Sequence, residues 1–224
     1  MPEGDADARA LREILALPAD EAGPLLLGAL LERTGGGERR VGRIVEVEAY
    51  CGPEDRASHA RGGLRSARNE SMYARPGTAY VYFTYGMHHC MNVVCREEGV
   101  PHAVLVRAIE PLEGTESMRA ARERASGRAA VGDREIGSGP AKLTQALGID
   151  RGFDGADLLG GGSGLVLRRG AGVEGPEIGV SERIGLGACG AWQGMVWRWY
   201  VRGCAHVSGG RGARGGSAAG RGAK

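Results

Sequence analysis

Lysine is almost missing from this chain of 224 residues: Lys142 and Lys224 are the only two, so nearly all of its 29 basic residues are arginine. Schiff-base chemistry needs an amine, and Lys142 is the one lysine inside the stretch that reads as folded. Aromatic residues are scarce too, at 5%. No run approaches the roughly 18 apolar residues of a membrane span. The acidic start (Glu3, Asp5, Asp7) lacks the basic-then-apolar layout of a secretory leader. Five scattered cysteines, an odd number, suit reduced thiols better than a disulfide framework. The expectation is a cytoplasmic protein with no membrane association. A net charge of +2 is too small to imply a nucleic-acid partner. Arginine suits bidentate phosphate contacts, but a GC-rich genome would enrich Arg, Gly and Ala alike, so composition leaves the partner open.

What is present, 42% apolar and 25% charged residues, fits one globular domain with a tail. Apolar spacing predicts a helix from Asp7 to Leu17, ended by Pro18, and a second one capped by Asp20 and running through Leu30. Gly35 to Gly37 form a turn into a long strand, Val41 to Tyr50. Val41, Val45 and Val47 fall on one face of it and Glu46, Glu48 and Tyr50 on the other. Residues 51–77 read as a long polar loop, which inside a compact domain is usually functional or mobile. Strands follow at 79–83, 89–94 and 104–109, then a helix at 115–125. Another helix starts with Pro140 in its first turn and closes at Gly148. Late strands are expected at 165–167 and 197–202. From Ser208 the chain is Gly, Ala, Ser and Arg up to the final Lys224, without a large apolar residue, and a disordered tail over 208–224 is expected, after a domain over 1–207. The fold class is mixed α/β (α+β), one compact domain with a largely antiparallel sheet and surrounding helices.

Glu48 and Tyr50 share a strand face with Glu46. Acidic residues on a strand are most often solvated, and local pattern alone favours that reading. A neighbouring strand carries Tyr80 and Tyr82 on one face, so the two strands can frame a carboxylate with aromatic rings. Such a pocket suits a planar ligand and an activated water. The turn Thr84-Tyr85-Gly86-Met87-His88 holds large side chains where small polar ones are usual. They either fold back on the core or form a wedge of the kind that minor-groove proteins push between base steps. His88, His89, Cys90 and Cys95 lie close in sequence, but without the tight paired spacing of a zinc site, and no metal is expected. The glycine run 160–164 lacks a following Lys-Ser/Thr and is no phosphate loop.

The run EVEAYCGPEDRASHA (Glu46–Ala60) resembles the active-site segment of the alkyladenine (3-methyladenine) DNA glycosylase family. The likeness continues through RNESMYARPGTAYVYFTYGMHHCMNVV, LVRAIEPLEG and SGPAKLTQALGI, from about Leu25 to about Gly203. It implies a protruding DNA-wedging β-hairpin and the roles that follow. Glu48 matches the base that deprotonates the attacking water, with Arg107 beside that water. Tyr50, His59 and Tyr82 match the enclosure of a flipped base, and Asn92 matches the residue that crowds the amino group of normal guanine. Tyr85 matches the intercalating tyrosine, with Met87 and His88 at the DNA surface. Lys142 reads as a phosphate contact at a helix start. The family's Pro-Trp pair after Tyr-Val-Arg-Gly is replaced here by Cys204-Ala205-His206, so the end of the fold is expected to pack differently.

The resemblance implies a monofunctional glycosylase that leaves an abasic site. It would act as a monomer on double-stranded DNA containing damaged purines, without a cofactor, in the nucleoid of a bacterial cytoplasm. A lesion-binding protein that has lost its chemistry, and an RNA-directed base hydrolase, are the competing readings.

Overall fold

The protein's structure is a computed structural model that describes residues 3–209. The tail expected from residue 208 therefore lies, from residue 210 on, outside the described residues.

Two helices open the chain, α1 (Glu3–Leu15) and α2 (Ala19–Leu25). Leu11 and Leu15 of α1 are buried in the main core. The second helix stops well short of Leu30. Pro24 stands in its last turn, where it cannot donate a helical bond, and Gly28 turns the chain at φ +85°. A Cβ at Gly28 would lie 2.0 Å from the carbonyl oxygen of Ala171, so only glycine fits. Gly28 N–H donates to Ile44 O (2.9 Å) and Ile44 N–H donates to Ala29 O (2.8 Å), which starts a strand instead of prolonging a helix. Asp20 sits in the first helical turn, and Pro18 rather than Asp20 takes the N-cap.

The strands are β1 (Leu30–Gly35), β2 (Glu38–Cys51), β3 (Ala79–Thr84), β4 (His88–Cys95), β5 (His102–Glu113), β6 (Leu165–Arg168), β7 (Ile178–Ser181) and β8 (Arg198–Val201). Among the described residues they form one open antiparallel sheet in the order β3-β4-β5-β2-β1-β6. The β7–β8 pair joins it through β2. The fold is thus a mixed α/β single domain, as the sequence leads one to expect, with β1 and β7 as additions to that reading. Helices α3 (Thr115–Ser126) and α4 (Pro140–Leu147) complete it. Helix α4 has Pro140 in its first turn and a left-handed Gly148 (φ +65°) as its C-cap, the two signals its sequence carries.

The long strand β2 organises the site. One of its edges carries β5. The other carries β1 along residues 38–43 and β8 along Glu46–Glu48. Val45, Val47 and Ala49 face the main core with Leu11, Leu15 and Leu26. The opposite face, with Tyr50, is covered by a second cluster drawn from the 51–77 segment and β3: Ala60, Met72, Tyr73 and Tyr80. Glu46 and Glu48 therefore lie under protein, not water. Both are 0% exposed, against the solvated reading of the local pattern.

Candidate active site

The register of β2 against β5 slips twice within a few residues. Ile44 faces Ile109, Glu46 faces Ala108 and Val47 faces Val106, so Val45 and Arg107 have no opposite number. Bulges of this kind bend a strand and re-aim a side chain. Here the slips bring Arg107 between two carboxylates: its Nε donates to Glu46 (2.9 Å), and its Nη1 lies 3.1 Å from Glu48 Oε1.

Glu48 is held from three sides. Oε1 is ion-paired with Arg107 and accepts from the backbone N–H of Ile184 (2.6 Å), while Oε2 accepts from the Tyr50 hydroxyl (3.1 Å). Burial nonetheless wins, and pushes the Glu48 carboxyl above its ordinary value of 4.5 against the pull of Arg107, Ile184 and Tyr50. Burial also drives the Tyr50 phenol well up, so that hydroxyl stays a donor. Arg107 stays charged: burial opposes its charge, but Glu48 and Glu46 raise its pKa further.

Tyr50, which bonds Glu48, also borders a cavity of about 410 Å³. Its walls include Tyr50, His59, Tyr80, Tyr82, Asn92 and Tyr85, with the glycine-rich 185–189 loop opposite. The rings are ordered against one another. His59 stands edge-on to Tyr82 (centroids 4.6 Å apart) and shares a 2.7 Å hydrogen bond between its Nδ1 and the Tyr80 hydroxyl. Burial lowers the His59 pKa, with Arg68 and Arg61 adding to the effect, so the ring is neutral near pH 7. The Asn92 Nδ2 donates to Tyr80 O (3.0 Å), which ties its amide to the β3 backbone.

At the cavity rim, β3 and β4 are joined by a tight turn with both central residues left-handed, Tyr85 (φ +52°) and Gly86 (φ +67°). Met87 N–H donates to Thr84 O (3.2 Å) across this turn, and three residues separate the paired Thr84 and His88. Tyr85 is 81% exposed and Met87 66%, so neither folds back onto the core. The sequence-expected residues thus fall into three places. Glu48 and Arg107 lie behind the wall. Tyr50, His59, Tyr82, Asn92 and Tyr85 line the cavity. Met87, His88 and Lys142 do not line it. Lys142 is in the first turn of α4, near Ser138 Oγ (3.4 Å), and Thr144 of the same helix donates to His89 O (2.9 Å), which docks α4 on β4.

Sequence reasoning missed Asp55 and Arg183. They form a fully buried pair, with Arg183 Nη1 and Nη2 at 2.5 and 3.0 Å from the two carboxylate oxygens. Arg183 also donates to Ala49 O and Trp192 O, and its guanidinium lies over the Tyr50 ring (4.9 Å) and the Trp197 ring (5.1 Å). It thereby pins the 183–192 segment, including the Ile184 N–H that binds Glu48, to the end of β2. No local pattern marks a pair separated by 128 residues. Asp55→Ala strands a buried guanidinium and is expected to cost about 3–5 kcal/mol, read as a lower midpoint in urea at unchanged slope; an unchanged midpoint would show the pair to be dispensable.

A carboxylate shielded from water yet ionisable, beneath a slot of aromatic rings, can stack a planar base and activate a water against the atom bonded to it. Residues 13–205 match the family described as methylpurine-DNA glycosylase. The DNA-3-methyladenine glycosylase of Homo sapiens is 42% identical over 200 residues, covering 88% of this chain and 66% of the human protein. That of Mus musculus is 42% identical over 210 residues, covering 91% of this chain and 62% of its own length. A relative from Burkholderia orbicola, also named for 3-methyladenine DNA glycosylase, is 44% identical over 191 residues, covering 85% of this chain and 86% of that protein. The chain thus spans just under two thirds of the mammalian relatives it matches.

Proposed function

Because the chain belongs to the methylpurine-DNA glycosylase family, we propose that it excises alkylated or deaminated purines from duplex DNA in base-excision repair. The observation that carries this reading is Glu48, 0% exposed, whose Oε2 accepts from the hydroxyl of Tyr50, a wall of the cavity. That oxygen keeps a lone pair for a water. In the proposed reaction Tyr85 fills the gap left in the base stack, and the damaged purine rotates into the slot between Tyr50, His59 and Tyr82. Flipping costs a few kcal/mol, less for a base that pairs badly. A cationic alkylated purine gains about 0.5–2 kcal/mol per aromatic face. Glu48 takes a proton from water, the water oxygen bonds to the sugar C1′, and the C1′–N bond breaks with its electron pair leaving on the purine. Arg107 favours the ionised form of Glu48 until that proton is taken up.

Asn92 sets selectivity against normal guanine, whose exocyclic amine meets the tied amide. Met87, His88 and Lys142 contact the DNA flanking the lesion. Lys142, the one lysine among the described residues, sits at the start of α4 and does not line the cavity, and no step needs an amine, so the product is an abasic site in an intact strand. One copy carries every group the reaction uses, which supports a monomer acting on chromosomal DNA in the cytoplasm.

The test is a panel of duplexes bearing 3-methyladenine, 7-methylguanine, hypoxanthine or ethenoadenine, with single-stranded DNA and RNA controls. The expected result is base release from at least one duplex lesion, with strand breaks appearing only after hot alkali. Tight lesion binding without release would favour the lesion-binding reading. Nicking without alkali would contradict the monofunctional one.

A further inference from the structure

Glu46 lies one turn of the β pleat from Glu48 and is equally buried, yet it has no place in the reaction. Its surroundings are unusually complete. Oε1 accepts from Arg107 Nε (2.9 Å), Arg198 Nε (2.7 Å) and Ser208 Oγ (2.7 Å), while Oε2 accepts from Ser208 N–H (2.6 Å). Arg198 on β8 is itself 2% exposed and donates through Nη1 to Ser181 Oγ (2.7 Å) on β7. Two carboxylates and two guanidiniums therefore balance in one buried cluster. Ser208 closes it from beyond the last strand, one residue past the expected domain end at 207.

We propose that Glu46 is a positioning residue that sets the basicity of Glu48 by sharing Arg107 with it, and that Ser208 is the part of the C-terminal segment that holds Glu46 in place. This rests on Glu48 being the base. An isolated buried carboxylate would stay protonated, and one that owned a whole guanidinium would be a weak base. Shared between two carboxylates, Arg107 leaves Glu48 between those limits. The groups that face Glu48 are Arg107 on β5, Tyr50 and Glu46 on β2, Tyr82 on β3, Cys90 on β4, and Arg183 with the Ile184 N–H from the segment after β7. Of these, Arg107 and Glu46 exert the opposing charge effects on Glu48 that burial does not supply.

Removing the Glu46 charge hands Arg107 to Glu48 and makes Glu48 easier to ionise. Glu46→Gln should move the acid limb of the single-turnover excision rate down by about one pH unit and lower the plateau about tenfold. Ser208→Ala removes a donor from Glu46, leaves more negative potential at Glu48, and should move the same limb up by about 0.3 unit. A merely structural role would lower the rate in both variants without moving the limb, and least of all in opposite directions. The rates are read on a hypoxanthine or ethenoadenine duplex from pH 4 to pH 9, with melting temperatures alongside. If the wild type shows no acid limb, the reading of Glu48 as base fails. If the wild-type limb is present and neither variant moves it, the positioning role is overturned while the catalytic one stands. Should Glu46→Gln not fold, Ser208→Ala decides alone, and an unmoved limb in that variant refutes the proposal.

Discussion

Glu48→Gln is expected to lose about 10²–10⁴-fold in the single-turnover rate of base release, the usual contribution of a positioned general base, without a lower melting temperature. The second half of that expectation follows from burial. Because burial raises the Glu48 pKa in the fold, the stability linked to this group is full below its unfolded value and is lost as pH rises through its folded value. At neutral pH the ionised carboxylate is therefore a cost. Glutamine removes the charge, while its amide oxygen can still accept from the Ile184 N–H. The variant should melt at or above the wild-type temperature at pH 8, and the difference should shrink as pH falls. In the wild type, excision should fade on acidification through a pKa above 4.5. A variant that melts well below wild type would show instead that the Glu48–Arg107 pair stabilises the fold on balance.

The second large effect is at the hairpin tip. Tyr85 holds φ +52° while 81% exposed, so it has strain without packing to offset it. A non-glycine residue in the left-handed region costs about 1–2 kcal/mol, and glycine relieves this at the expense of about 0.5–1 kcal/mol in chain entropy. Tyr85→Gly should therefore melt at or slightly above the wild-type temperature. Its excision from duplex DNA should fall about 100-fold, since an unfilled gap forfeits a few kcal/mol of flipping. Excision from a single-stranded lesion should change little. Equal losses on duplex and single strand would mean that Tyr85 serves the pocket rather than the base stack.

How much of this was legible in the sequence depends on the range of the interaction. Strand alternation placed Glu46, Glu48 and Tyr50 on one face, and the large side chains of the 84–88 turn marked the hairpin. Proline and glycine marked both ends of α4. The same reasoning overextended α2 to Leu30, because a leucine-rich stretch reads alike as helix or strand, and the deciding contact, Gly28 against Ala171, comes from far along the chain. It favoured solvated glutamates because their partners, Arg107, Ile184, Arg198 and Ser208, are invisible in a local window. Asp55 with Arg183, and Glu46 with Arg198 and Ser208, pair across 128 to 162 residues. Their types are ordinary for a surface, and only the fold makes them buried partners. The resemblance supplied what spacing could not, namely that His59 and Asn92 belong to one pocket.

In the proposed reaction Glu48, and not the cavity alone, drives the loss of the base. Lesion binding and lesion excision measured side by side in wild type and Glu48→Gln, on one duplex carrying a single ethenoadenine or hypoxanthine, test it most directly. Equal affinity for the lesion duplex is expected in both proteins, with base release, revealed by hot alkali, in the wild type alone. Release by Glu48→Gln at the wild-type rate would contradict it.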